Sequence, residues 1–438
     1  MKRLIGFILG VAGFALTYFL PVGTNTKFGI GITVLAAVFW VAEVFPLYVT
    51  AMLVPVLASV LGLLSPTDAL SPFFSPVIAL FLGGFLLARA VGKYGLDRRF
   101  ANHVLGAMGE RSEYIILGLM ITTAALSAFM NNTAAAVLMI PVGISIVRSL
   151  GQKGKPFSAA VILGIAFSAS IGGLMTLVGS PPNAIAAESA GISFYQWSLA
   201  TVPFGVILLF ILWFAVIRLN PHNIERRQVA HCLRSLEDLG RMGSKEAYTI
   251  LTMAVVFLLW LTESAHGINY GIVGLLGATM LYMFRLLDTS DLREINWDIL
   301  LLMGGGLSLG SVLVESGGAD YMASLLIGGI GGSTALLYLS VALFVIVLTT
   351  FTSNTAAAVL TVPILARVAG EFGAPVMLIG GVAASLAFVL PVSTPPNALA
   401  YGSGEVSMRQ MMRSGIVMSL ISACLLVMFA AAYWGALF

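Results

Sequence analysis

The octet Asn131-Asn132-Thr133-Ala134-Ala135-Ala136-Val137-Leu138 returns 222 positions later as Ser353-Asn354-Thr355-Ala356-Ala357-Ala358-Val359-Leu360. Each octet sits in the middle of an apolar segment, 112–148 and 333–368. A bilayer core is spanned by about 20 helical residues, so either segment is too long for one crossing. Both read as helical hairpins that enter the membrane, turn on a polar tip and leave by the same face. The same offset sets Gly83-Gly84 on Gly305-Gly306 and Pro141 on Pro363. A second matched pair follows at an offset of 214, because the intervening segment is eight residues shorter in the second half. It is Gly179-Ser180-Pro181-Pro182-Asn183-Ala184 against Ser393-Thr394-Pro395-Pro396-Asn397-Ala398.

Working outward, the rest of the chain agrees with a lipid solvent. Of 438 residues, 59% are hydrophobic and 9% charged, where a soluble domain carries about 25% charged residues. Mean hydropathy is +1.01. In hydrocarbon the backbone satisfies its own hydrogen bonds, so spans are helices or a closed barrel. Barrel strands alternate apolar and polar residues; 202–219, 248–261 and 415–434 do not. The expected fold is therefore an all-α polytopic membrane protein. Apolar runs place eleven spans near 4–20, 28–45, 48–64, 76–93, 157–189, 198–218, 247–262, 268–285, 297–316, 374–401 and 414–436, besides the two re-entrant hairpins. Met1, Lys2 and Arg3 precede the first run, and no small-residue cleavage site stands before Pro21, so 4–20 reads as a span rather than a signal peptide.

Basic residues orient the spans. With the N-terminus cytoplasmic and both hairpins re-entrant, 20 of the 22 Lys and Arg residues fall inside; Lys27 and Arg367 fall outside. Such asymmetry is the positive-inside pattern. Treating either hairpin as a single crossing would invert everything after it and spoil the split. The C-terminus is then outside, and the membrane is the cell's inner (plasma) membrane. The polar loop 222–246 divides the chain into a first half, 1–221, and a second half, 247–438. Because the matched hairpins open to opposite sides, the halves are inverted repeats. Inverted repeats with broken helices mark a secondary transporter whose site lies at the repeat interface.

The motifs explain what such a site holds. Pro-Pro removes two N–H donors and forces the preceding residue out of the helical region, so 157–189 and 374–401 read as broken helices. One side of a break exposes carbonyls, suited to a small hard cation. The other exposes N–H groups and a positive dipole end, suited to an anion. Asn, Ser and Thr beside the breaks add neutral oxygen ligands and amide donors. No charged residue or histidine stands in the tips or breaks. A bare dianion in so neutral a pocket is costly to desolvate, and co-bound sodium offsets that cost. Proton coupling ordinarily uses an ionisable residue inside a span, which these motifs lack.

The same residues carry a resemblance. The chain resembles the divalent anion:sodium symporter family, dicarboxylate and sulfate transporters whose hallmark is a Ser-Asn-Thr tip in each half. The second tip is intact as Ser353-Asn354-Thr355, and the first departs as Asn131-Asn132-Thr133. The stretch 385–399 and the spacing Trp40…Glu43…Pro46…Thr50 are also similar. The resemblance implies a first sodium site of Ser127, Asn131, Asn132 and the backbone at Gly179. It implies a second of Thr349, Ser353, Asn354 and the backbone at Ser393. Substrate contacts map to Asn131, Asn132, Thr133, Ser180, Ser353, Asn354, Thr355, Thr394 and Pro395. A homodimer and an elevator movement of the hairpin-bearing part are implied with them, and sodium ions and a small divalent anion are the cargo.

Other polar residues are expected to do less. Cys232 and Cys424 lack any disulfide or metal spacing. Glu43 reads as a helix-end residue, Arg89 and Lys93 as cations snorkelling at a cytoplasmic helix end, and Glu263 and His266 as water-facing. Gly304-Gly305-Gly306 follows no strand and is not a nucleotide loop. A sodium-independent dicarboxylate exchanger of the same fold is the main alternative. A channel or a membrane enzyme fits less well, since the motifs hold no nucleophile–base pair or metal cluster.

Overall fold

The computed structural model describes residues 2–152, 155–234, 239–328 and 333–438, without the side chains of 231–234. Every regular element among them is helical. Twelve helices are long and apolar enough to cross a membrane. Four of these are the arms Ser112–Phe129, Asn132–Ser149, Thr334–Phe351 and Asn354–Phe372. The other eight account for the eleven expected spans when the shorter helices Leu47–Val60 and Tyr270–Met283 and the interrupted segment 375–402 are added.

Helix bounds recur with the sequence offset. Pro76–Lys93 corresponds to Trp297–Glu315, Ser112–Phe129 to Thr334–Phe351, Asn132–Ser149 to Asn354–Phe372, and, at the smaller offset, Phe194–Leu219 to the segment beginning at Met408. Packing repeats as well. Pro76–Lys93 lies against Tyr270–Met283, and Trp297–Glu315 against Leu47–Val60. A Cβ added to Gly83 would stand 2.2 Å from Gly274 O, and one added to Gly305 would stand 2.2 Å from Ala51 O. Glycine is what permits both backbone-to-backbone approaches, so the two halves interlock through the same residue type at matched positions.

Three local expectations change. Arg89 and Lys93 do not merely snorkel. Arg89 Nε and Lys93 Nζ donate to Asp291 at 2.8 and 2.5 Å, Arg89 also meets Glu294 at 2.6 Å, and the Asp291 side chain is 1% exposed. Burial pushes the Asp291 carboxyl upward, but hydrogen bonds from Lys93, the Asp288 N–H and Arg89 outweigh it and hold it below the usual carboxylate range. Arg89 and Lys93 are themselves 37% and 30% exposed, so water screens the cluster and losing either cation costs less than breaking a fully buried pair would. Glu263 does not simply face water either. It is half-buried and accepts the N–H groups of Phe194 and Tyr270, while His266 Nε2 lies 2.8 Å from Leu259 O. Finally, Leu96–Ala107 and Gly318–Gly328 are helices at matched positions, in the stretches between an expected span and the hairpin that follows it. Residues 329–332 lie outside the described residues. Of the cysteines, Cys424 is exposed and the Cys232 side chain is outside the described residues.

The expected orientation is checked by thiol labelling in a variant lacking Cys232 and Cys424. A cysteine at Met242, which is 49% exposed, should resist impermeant reagents in intact cells, and one at the exposed Ser264 should react. Prompt labelling at 242 from outside would reverse the topology.

Candidate ion and anion site

Each hairpin turns in two extended residues. Met130 and Asn131 have φ/ψ of −136/171 and −68/154°, and Thr352 and Ser353 have −136/175 and −70/150°. Asn131 and Ser353 then cap the second arms, their side-chain oxygens accepting the N–H of Ala134 at 2.7 Å and of Ala356 at 3.1 Å. A cap of this kind satisfies one of the N–H groups that a helix start leaves unpaired. The departure Asn131 thus keeps the capping task of a serine.

Behind each tip, a hydroxyl, an amide and a backbone carbonyl meet. Ser127 Oγ lies 2.6 Å from Ala169 O and 2.9 Å from the Asn132 amide. Thr349 Oγ1 lies 2.8 Å from Ala384 O and 2.8 Å from Asn354 Oδ1. A hydroxyl has one proton to donate, so the second cluster holds more oxygens than it has protons to bridge them. In the first cluster the neighbours of the Asn132 amide are all acceptors, so its nitrogen faces them and donates to Ser127 Oγ at 2.9 Å and to Ala169 O and Gly179 O at 3.1 Å. These three neutral oxygens are of the kind a small hard cation takes, and the amide of Asn132 satisfies them.

The breaks are built to hold their carbonyls in place. Asn183 Nδ2 donates to Gly173 O and Thr176 O at 2.8 and 2.6 Å, and Asn397 Nδ2 donates to Ala387 O and Leu390 O at 3.0 and 3.1 Å. Both asparagines are fully buried, and donors and acceptors match at the 214-residue offset. Each amide replaces hydrogen bonds that Pro-Pro denies the helix. Thr176 Oγ1 donates to Ala128 O, and Ser393 Oγ donates to Thr350 O at 2.8 Å, fixing each break to its hairpin. Gly179 permits a close backbone approach, since a Cβ there would stand 2.4 Å from Gly173 O and 2.8 Å from Ser127 O.

The two halves exchange neighbours at the site. Asn132–Ser149 packs on Pro395–Gly402, and Asn354–Phe372 packs on Pro181–Ala190. Ser180 Oγ and Ser385 Oγ, both buried, lie 3.2 Å apart and tie the breaks together. Four helices therefore begin at the motifs: Asn132–Ser149, Asn354–Phe372, Pro181–Ala190 and Pro395–Gly402. The starts at Asn132 and Asn354 present backbone N–H groups and the positive end of a helix dipole, which suits an anion. At the Pro-Pro starts the prolines carry no N–H, and those of Asn183 and Asn397 are taken by Ser180 O and Thr394 Oγ1, so these two offer the dipole alone. Thr355 and Thr394 are buried, Asn132 and Thr133 half-buried, and Pro395 exposed. Thr394 Oγ1 accepts the N–H of Asn397 at 3.3 Å. A separate crevice of about 860 Å³ is lined by Ser75, Glu188, Ser311, Glu315 and Arg367 among others; none of the expected site residues lines it.

Comparison with known proteins now bears on the chain as a whole. The family described as the sodium:sulfate symporter transmembrane region matches residues 2–438. The chain belongs to that family, the divalent anion:sodium symporters. An uncharacterized transporter of Haemophilus influenzae is 36% identical to this symporter-family chain over 460 residues, covering 99% of the chain and 97% of the relative. The sodium-dependent dicarboxylate transporter SdcS of Staphylococcus saprophyticus is 32% identical over 468 residues, covering 97% and 90%. Among solved structures, the Alcanivorax borkumensis YdaH transporter has a TM-score of 0.59 at 12% identity, covering 94% of this chain and 99% of that one. Neisseria gonorrhoeae MtrF has 0.59 at 11%, covering 98% and 94%. Identities this low speak for the fold alone.

For this symporter-family chain, sequence reasoning found the tips and breaks but missed several partners. The carbonyls of Ala169 and Ala384 carry no side-chain signature. Asn183 and Asn397 of the Pro-Pro-Asn repeat were expected, with the Ser and Thr beside the breaks, to offer ligands and amide donors; their amides are instead turned onto the carbonyls of the breaks themselves. Asn296, which accepts from Asn131 Nδ2 at 3.3 Å, had no local signal.

Proposed function

We propose that this protein carries a small divalent anion, a dicarboxylate in the first instance, inward together with sodium ions. The observation that carries the reading is the matched pair of clusters around Asn132 and Asn354, where hydroxyl and carbonyl oxygens gather around an amide without a charged side chain. Sodium held there would place positive charge beside the helix starts that receive the dianion. It would offset the desolvation cost that a neutral pocket imposes. The printed names of the dicarboxylate-transporting relatives support the substrate class.

The reading includes the cytoplasmic N-terminus and outer C-terminus expected from the basic residues, and the homodimer implied by the family. It also includes an elevator movement. The hairpins and broken helices form one unit, which meets Trp297–Glu315 through apolar contacts such as Val359 on Gly306 and Pro363 near Gly310. Smooth contacts of this kind suit sliding. Trp197, Thr201 and Trp213 of Phe194–Leu219 and Ser419 of Met408–Phe429 are hydrogen-bonded to carbonyls of this unit and go with it. Polar ties from the unit to the helices it would slide against include Arg367 to Asp320 at 3.2 Å, Glu188 to the Tyr270 hydroxyl, and Asn131 to Asn296.

The test is uptake of labelled succinate into proteoliposomes. An inward sodium gradient should drive accumulation, and lithium should substitute poorly. Coupling free energies usually correspond to roughly 5- to 150-fold in affinity and act reciprocally, so succinate should raise sodium affinity by the same factor. Full transport in sodium-free buffer with a dicarboxylate trapped inside would replace this reading with exchange.

A further inference from the structure

Asn131 performs two tasks with one side chain. Its Oδ1 caps the second arm, as Ser353 Oγ does in the other half. A serine has no further atom with which to reach outward, whereas the amide has a nitrogen. Asn131 Nδ2 donates to Asn296 Oδ1 at 3.3 Å.

Asn296 is exposed and immediately precedes Trp297–Glu315. Its segment is firmly seated. Asp291 is buried under Arg89 and Lys93 and accepts the N–H of Asp288 at 2.9 Å. Trp297 Nε1 donates to Leu292 O at 3.0 Å. Trp297–Glu315 itself belongs with Leu47–Val60, since Gly305 approaches the Ala51 backbone. The Asn131–Asn296 bond therefore runs from a hairpin tip to the body that the hairpins move against.

We infer that Asn131 and Asn296 form a clasp that holds the first tip at one end of its travel, and that Asn296 is a positioning residue for transport. The inference rests on the elevator reading above. The tip must leave Asn296 for the site to face the opposite side, so the clasp is made in one state and broken in the other. Its removal shifts the balance between the two. The asparagine at the first tip and the asparagine at 296 are thus one device, absent from the second half, where Ser353 caps without reaching.

The test compares Asn131→Ser, Asn296→Ala, the double variant and Asn131→Ser/Asn296→Gln, all reconstituted, with turnover expressed per monodisperse protein. A neutral hydrogen bond is worth about two- to tenfold in an equilibrium. Each single variant should change turnover by that factor and in the same direction, and the double variant should be no further changed, because both remove one bond. The longer glutamine, reaching toward the shorter serine, should bring turnover back toward wild type. Multiplying effects in the double variant, opposite directions in the singles, or wild-type turnover in Asn296→Ala would overturn the clasp. Failure of the underlying site reading appears elsewhere, as normal uptake in Asn132→Ala.

Discussion

Asn132→Ala and Asn354→Ala should each abolish measurable sodium-driven uptake while the protein still inserts and runs as a single species. Either change deletes an amide that sits against a hydroxyl which itself reaches a backbone carbonyl. In the first half it also leaves Gly179 O and Ala169 O facing a void. A buried polar group left without its partner costs about 1–3 kcal/mol, or roughly tenfold in affinity for each 1.4 kcal/mol. Sodium and dianion are each affected, and transport needs both bound, so the losses compound. Folding should survive, because Asn132 and Asn354 are only half-buried and the caps at Asn131 and Ser353 remain. The control is Val137→Ala. Val137 lies on the same arm but is 49% exposed, and its variant should transport like wild type. Ala136 and Ala358 are unsuitable controls for added polarity, since both are fully buried and a serine there would test packing. Normal uptake kinetics in both asparagine variants would remove the site from these tips.

Gly179→Ala should be nearly as damaging, by a different route. The new Cβ would meet Gly173 O at 2.4 Å and Ser127 O at 2.8 Å. Both are backbone atoms, one of the break and one of the first hairpin arm, so neither can rotate away as a side chain would. Overpacking ordinarily costs about 1–3 kcal/mol; here relief also displaces the carbonyls that Asn183 holds. We expect loss of uptake and a lowered melting temperature. The same substitution at Gly106 should do the reverse. That glycine lies within Leu96–Ala107 with nothing within 4 Å of an added Cβ, and alanine in a compatible position stabilises by about 0.4–1 kcal/mol. Equal behaviour of the two variants would show that the approach at Gly179 is not needed.

Much of this organisation was legible in the residues. A polar triplet inside an overlong apolar run has few outcomes in lipid except a hairpin, and Pro-Pro inside a span has few except a break. Repetition of both at fixed offsets is matched by helix bounds that recur at the same offsets. What escaped has physical causes. Carbonyl ligands such as Ala169 O and Ala384 O belong to the backbone, and any residue could supply them. The Arg89–Lys93–Asp291 cluster joins residues about 200 positions apart, so cations at a helix end looked merely solvated. Leu96–Ala107 was passed over because its charges and short length resemble a loop, and Gly318–Gly328 because it is shorter than a span. Asn131 was read as a departure from the family triplet at an ion- and substrate-binding position; its reach to Asn296 escaped because that partner lies in the other half.

The account stands on sodium and dianion sharing the paired clusters, and equilibrium binding tests this most directly. Labelled succinate should be bound by the purified protein at rising sodium, with choline keeping ionic strength constant. The account predicts that apparent affinity climbs with sodium in the wild type and that this dependence collapses in Asn132→Ala. Equally tight binding of succinate in choline alone and in sodium would contradict it.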